Sequence, residues 1–184
     1  MDVATHCIEA ILSPVVNPPA EGIGYDGLWR AWRHIQMAVS DGTDREARWN
    51  MMMASTEGAL AFVKGLGAVH AKSHAAGRLS HLKLHHGTLN AVILPAVLRL
   101  NAETAPDKYM RMAQAMDLPP NADLADAVAA RNESLGLPSH LGAMGVTEAM
   151  IPELVGHALA DLSNRTTPRP VDAATYTALF NAVL

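Results

Sequence analysis

Apolar residues recur three and four positions apart along almost the whole chain, in runs cut short by proline and glycine. That pattern points to a set of packed helices and away from sheets. Val3, Cys7, Ile8, Ile11 and Leu12 follow it first and stop before Ser13-Pro14, which predicts a short helix over 2–12. Pro18 and Pro19 predict a loop, after which Leu28, Trp29, Trp32, Ile35, Gln36 and Val39 describe an amphipathic helix ending near Asp41-Gly42. A third helix over about 44–63, through Trp49, Met52, Met53 and Leu60, reads as apolar and central. Gly65 and Gly67 precede a helix at Val69-His70, and 77–84 reads as a loop. The run from Thr88 to Leu100 is helical with a kink expected at Pro95. Later helices are expected at about 106–117, 121–135, 147–161 and 171–183, with Asp123, Thr147 and Asp172 as caps or first-turn acids.

Composition supports an all-α reading. Only 4% of the 184 residues are aromatic, while methionine and alanine are abundant. The proline-containing breaks are too short for interdomain linkers, so 1–184 is expected to be a single helical domain. A net charge of -4 with scattered signs offers no basic face for phosphate backbones and no polybasic segment for a bilayer, so neither nucleic acid nor membrane is an expected partner. Cys7 is the one cysteine and cannot form an internal disulfide. With no secretory pattern and no run of about 20 apolar residues, a cytoplasmic location is expected.

The chemistry is concentrated in three places: Asp2-Val3-Ala4-Thr5-His6, His70-Ala71-Lys72-Ser73-His74, and His85-His86-Gly87. Asp2 and His6 are four residues apart, as are His70 and His74, so on a helix each pair rises from one face. A carboxylate with imidazoles suits Fe, Zn, Ni or Mn, and three or four such ligands leave a position open for a substrate oxygen. His34, His140 and His157 stand singly and read as structural or solvent-exposed.

Gly22-Ile23-Gly24-Tyr25-Asp26-Gly27 spells a G-x-G-x-x-G, yet the preceding Asn17-Pro18-Pro19-Ala20-Glu21 cannot be the buried strand that a dinucleotide turn requires. The Met51-Met52-Met53 run and the three tryptophans read as core packing. A helical metal-dependent phosphohydrolase would be expected to carry an adjacent His-Asp pair, and none of the nine histidines precedes an aspartate.

Several motifs, in order, make the chain similar to a known family: residues 1–10 (Met-Asp-Val-Ala-Thr-His-Cys-Ile-Glu-Ala), 50–55 (Asn-Met-Met-Met-Ala-Ser), 65–70 (Gly-Leu-Gly-Ala-Val-His) and 86–92 (His-Gly-Thr-Leu-Asn-Ala-Val), closed by Pro168-Arg169-Pro170. Over its whole length it resembles the C-terminal, metal-binding half of the iron-containing alcohol dehydrogenases, which share their fold with dehydroquinate synthase and glycerol dehydrogenase. The resemblance implies Fe(II), sometimes replaced by zinc, held by one aspartate and three histidines. By motif position these are Asp2, His6, His70 and His86, with the His-Gly-x-x-Asn-Ala signature selecting His86 over His85. His74 matches a histidine to which the family gives a proton-relay role near nicotinamide and substrate. The implied reaction interconverts a small alcohol with its aldehyde or ketone, the cation lowering the pKa of the alcohol oxygen while NAD(P) accepts hydride.

Family members are implied to carry an N-terminal nucleotide-binding domain that residues 1–184 do not contain. NAD(P) is therefore expected only if a separate nucleotide-binding chain, or that domain, is supplied. The alternative is a non-catalytic metal-binding or dimerisation module derived from such an enzyme. Apolar surface suited to the other domain is expected to be exposed and to favour a homo-oligomer. Asp2, close to a terminal amine, is expected to bind metal more weakly than in a full-length relative.

Overall fold

Asp2–Leu12 is apolar on nearly every side, and a helix of that kind has to be covered all round. In the computed structural model, which describes residues 1–184, this helix (α1) lies at the centre. Pro18–Ser40 (α2), Arg45–Ala61 (α3) and His86–Asn101 (α5) all pack against it. Ile8 and Ile11 are fully buried, each contributing about 2–3 kcal/mol of transfer free energy. Ala68–Gly77 (α4) packs on α5 and on Ile151–Ala160 (α8), Leu124–Ser134 (α7) covers α5, and Ala173–Asn181 (α9) covers α8. Pro106–Ala115 (α6) closes over α2. Short 3₁₀ turns connect several of these, and no strand is present.

Two expectations need correction. Pro18 and Pro19 do not form a loop: they are the first two residues of α2, where Asn17 Oδ1 accepts from the Ala20 amide at 3.2 Å. A proline costs nothing at a helix start, because the amide hydrogen it lacks would have no intrahelical partner there. The G-x-G-x-x-G therefore lies inside α2, and its second and third glycines serve packing. A Cβ on Gly27 would sit 2.9 Å from Cys7 Sγ, and one on Gly24 3.2 Å from Ile11 Cγ1, so their absence lets α2 rest directly on α1.

The second correction concerns α3, which is peripheral. Trp49, Met52 and Leu60 are all more than half exposed. Trp32 alone among the tryptophans is buried. Trp29 and Trp49 instead flank Arg30, whose guanidinium carbon lies 5.6 and 5.5 Å from their ring centroids. Met51–Met53 are likewise at most partly covered. Apolar letters at helical spacing say that a face exists without saying that it is covered.

Arg30 Nε also donates to Asp26 at 2.8 Å and to Glu57 Oε1 at 3.2 Å, while Glu57 Oε2 is buried without a partner. Burial, then the neighbouring Asp26 carboxyl, push the Glu57 carboxyl up to about 7 from 4.5. The folded state thus holds a proton that the unfolded chain has released between those values. Its contribution is complete below 4.5 and is lost as pH rises through 7. Glu57→Gln is therefore expected to stabilise the protein by about 1–2 kcal/mol at pH 8, screening included, and to bring no gain at about pH 4. Urea denaturation at the two pH values measures it, and an equal gain at both would contradict the titration.

Candidate metal centre

Two helices bring three of the expected ligands together, and a third places His86 beside them. Asp2 and His6 project from α1, one turn apart, and His70 lies in the first turn of α4. One ligating atom from each of the three lies within 4.8 Å of the other two. His86, the first residue of α5, stands beside them with Nε2 3.6 Å from Asp2 Oδ1. The His70 ring centroid is 4.6 Å from that of His6 and 5.4 Å from that of His86. His85 Nδ1 lies 3.3 Å from Thr88 Oγ1.

His74 also joins the group, though not as a member of the triad. Its ring stacks on His86 at 5.4 Å, and its Nδ1 lies 3.0 Å from Asp161 Oδ2. Asp161 in turn accepts from the Ser163 amide at 2.8 Å. Burial alone would raise the Asp161 carboxyl, but the Ser163 and His74 hydrogen bonds hold it below the usual carboxylate range. The three lone histidines stay outside: His140 caps a turn by accepting from the Ala143 amide, His157 lies 3.5 Å from Glu153, and His34 stands edge-on to Trp29.

Two side chains that sequence reasoning passed over hold the centre together. Glu9, 5% exposed on α1, accepts from the backbone amides of Val69 at 2.8 Å and His70 at 3.2 Å, and sits 2.7 Å from His70 Nδ1. It thereby caps α4 from another helix, a role left open by Gly67, which offers no side-chain cap. A Cβ on Gly67 would lie 2.8 Å from Glu9 Oε1, so the glycine makes room for the carboxylate. With the proton held on His70 Nδ1, its Nε2 lone pair is directed at the centre. The second residue is fully buried Asn90 on α5, whose Nδ2 donates to Asp2 Oδ1 at 2.6 Å.

Electrostatics prepare the donors. Burial would raise the Asp2 carboxyl, but the Asn90 hydrogen bond and the nearby histidines hold it below its ordinary value. His6 and His86 are lowered, chiefly by burial and also by their histidine neighbours, which favours the neutral ring that can offer a lone pair. One carboxylate and three imidazoles match the oxygen and nitrogen preference of a divalent first-row cation and leave most of its charge unneutralised. One apolar ring borders the group: Phe62, 40% exposed, lies 5.4 Å from the His6 ring. No helix is long and apolar enough to cross a membrane.

Comparison with known proteins gives a consistent picture. Residues 1–184 match the model of the "Fe-containing alcohol dehydrogenase family, C-terminal". The chain is 51% identical over 183 residues to 4-hydroxybutyrate dehydrogenase of Cupriavidus necator, an alignment covering 96% of this chain and 48% of that protein. It is 35% identical over 178 residues to 1,3-propanediol dehydrogenase of Citrobacter freundii, covering 92% and 46%. A solved 1,3-propanediol oxidoreductase superposes with a TM-score of 0.95 at 30% identity, over 100% of this chain and 50% of that one. The chain thus spans about half the length of the relatives it matches.

Proposed function

This chain belongs to the Fe-containing alcohol dehydrogenase family, and from that premise we propose that residues 1–184 form the metal-binding domain of an NAD(P)-linked alcohol dehydrogenase. The observation that carries the proposal is that ligating atoms of Asp2, His6 and His70 lie within 4.8 Å of one another, with His86 Nε2 3.6 Å from Asp2 Oδ1 beside them. These four residues would hold Fe(II), or zinc in its place, and when bound the cation supplies Lewis acidity toward an alcohol or carbonyl oxygen. Glu9 orients His70 for ligation. Asp161 holds the His74 Nδ1 hydrogen, which leaves His74 Nε2 free to exchange a proton with substrate or solvent. Phe62, beside the His6 ring, helps to exclude water from the rim once it is covered.

Likeness to 4-hydroxybutyrate and 1,3-propanediol dehydrogenases favours a short primary alcohol with a polar group at its far end. Hydride transfer needs a nicotinamide nucleotide, which in this reading is held by a nucleotide-binding domain corresponding to the other half of those relatives. Trp49, Met52, Leu60 and Val63 share one exposed face along and just beyond α3, and self-association through it fits the extent of uncovered apolar surface. The single free thiol, Cys7, suits a reducing compartment such as the cytoplasm.

The test has two stages. Protein purified without chelator is assayed for iron and zinc, and the loaded chain is then mixed with the nucleotide-binding half of the 4-hydroxybutyrate dehydrogenase relative and NAD(P). About one metal per chain followed by alcohol-dependent NAD(P)H formation is the expected result. Metal without hydride transfer would favour a non-catalytic module, and absence of metal after anaerobic Fe(II) loading would defeat both readings.

A further inference from the structure

Asn90 occupies the position that a metal reading leaves hardest to explain. Its Nδ2 lies 2.6 Å from Asp2 Oδ1, 3.1 Å from His86 Nε2 and 3.2 Å from His70 Nε2. The amide nitrogen carries two hydrogens and faces three acceptors, so one acceptor is always left short. Its own Oδ1 is buried with no partner. A side chain half satisfied in this way, 0% exposed, is poorly explained as packing alone, because each unpaired buried polar group costs stability.

The tautomers agree with this arrangement. Glu9 fixes a hydrogen on His70 Nδ1, which makes His70 Nε2 an acceptor. Ser73 Oγ donates to the His70 carbonyl and lies 3.5 Å from His86 Nδ1, which leaves His86 Nε2 as an acceptor as well. The amide hydrogens therefore address the same lone pairs that a cation would address, and the two compete for them.

We propose that Asn90 is a positioning residue that keeps the metal-free centre assembled, its amide group standing in for the cation and surrendering Asp2, His70 and His86 as the cation enters. This rests on the metal-binding reading given above. A neutral amide carries only a partial positive charge, so a divalent ion outcompetes it, but the ion must first break contacts that the amide makes. The metal-free protein is stabilised and the measured affinity is correspondingly reduced.

The experiment uses the full chain, with Zn(II) as the probe, in competition with a chromophoric chelator. Wild type is compared with Asn90→Ala and with Asn90→Ser, both of which remove the amide that reaches the three acceptors without adding a charge. Melting temperature in excess chelator is the second readout. Both variants are expected to melt lower without metal and to bind Zn(II) more tightly, by about tenfold for Asn90→Ala, the worth of roughly one net hydrogen bond. In wild type labelled with ¹⁵N asparagine, the Asn90 side-chain amide signal is expected to move on Zn(II) addition. Unchanged or weaker binding in a folded variant, while wild type binds, overturns the role of Asn90 alone. If Asn90→Ala does not fold, Asn90→Ser decides. Failure of wild type to bind Zn(II) overturns the metal reading and this inference with it.

Discussion

Glu9→Ala is expected to destabilise the protein by about 3–5 kcal/mol, because it leaves three buried donors facing a cavity. Two of them are the amides at the open end of α4, and the third is the Nδ1 of His70. Glu9→Gln separates the structural from the positioning role. The glutamine oxygen can still accept from the Val69 amide, so the fold should lose less than in Glu9→Ala, while the His70 amide loses its acceptor. Its amide group, however, would donate to His70 Nδ1 and drive the ring proton to Nε2, where it blocks ligation. Metal affinity in Glu9→Gln should then fall about 10–100-fold, with a loss of stability of about 1–2 kcal/mol for the one amide left without an acceptor, well short of Glu9→Ala. Urea denaturation with and without chelator, together with chelator competition, measures both quantities. Retained affinity in Glu9→Gln would show that the carboxylate does not set the tautomer.

Replacing His70 should have the largest effect on metal binding of any single substitution. It is 1% exposed, whereas the His86 side chain is 42% exposed and stands at the mouth of the centre. His70→Ala removes the ligand whose orientation is fixed from behind, and it strands the Glu9 carboxylate in the interior. We expect a loss exceeding the roughly 100-fold upper range for supporting residues. His86→Ala should lose less, because solvent can complete the coordination at an exposed position. Isothermal titration with Zn(II) ranks the two, and the reverse order would mean that the exposed histidine anchors the ion.

Much of the secondary structure could be read along the chain. The close of α1 at Ser13-Pro14, the caps at Asp123 and Asp172, and the pairing of Asp2 with His6 on one helical face all follow from local spacing and turn chemistry. Thr147 is expected to cap a helix, but its side chain makes no cap and a 3₁₀ turn over Glu148–Met150 comes before α8. Glu9 was passed over despite a usable signal: a carboxylate within Cys-Ile-Glu-Ala-Ile-Leu, a stretch with no solvent-facing side, must find a buried partner. That partner lies 61 residues away, and nothing in the local sequence names it. Asn90 is bonded to Asp2 across 88 residues and is hidden in the same way.

Burial was the least legible property. The apolar spacing of α3 suggested a central helix, yet its Trp49, Met52 and Leu60 face outward, and the eleven-residue α1 takes the centre. Side-chain direction along a helix is set by covalent geometry, so the sequence by itself determined which residues share a face and where most helices begin and end. Which faces meet depends on all helices covering one another at once. Only the tertiary structure decided that α1, α4 and α5 converge, that a carboxylate from one caps another, and that an asparagine stands among the ligands.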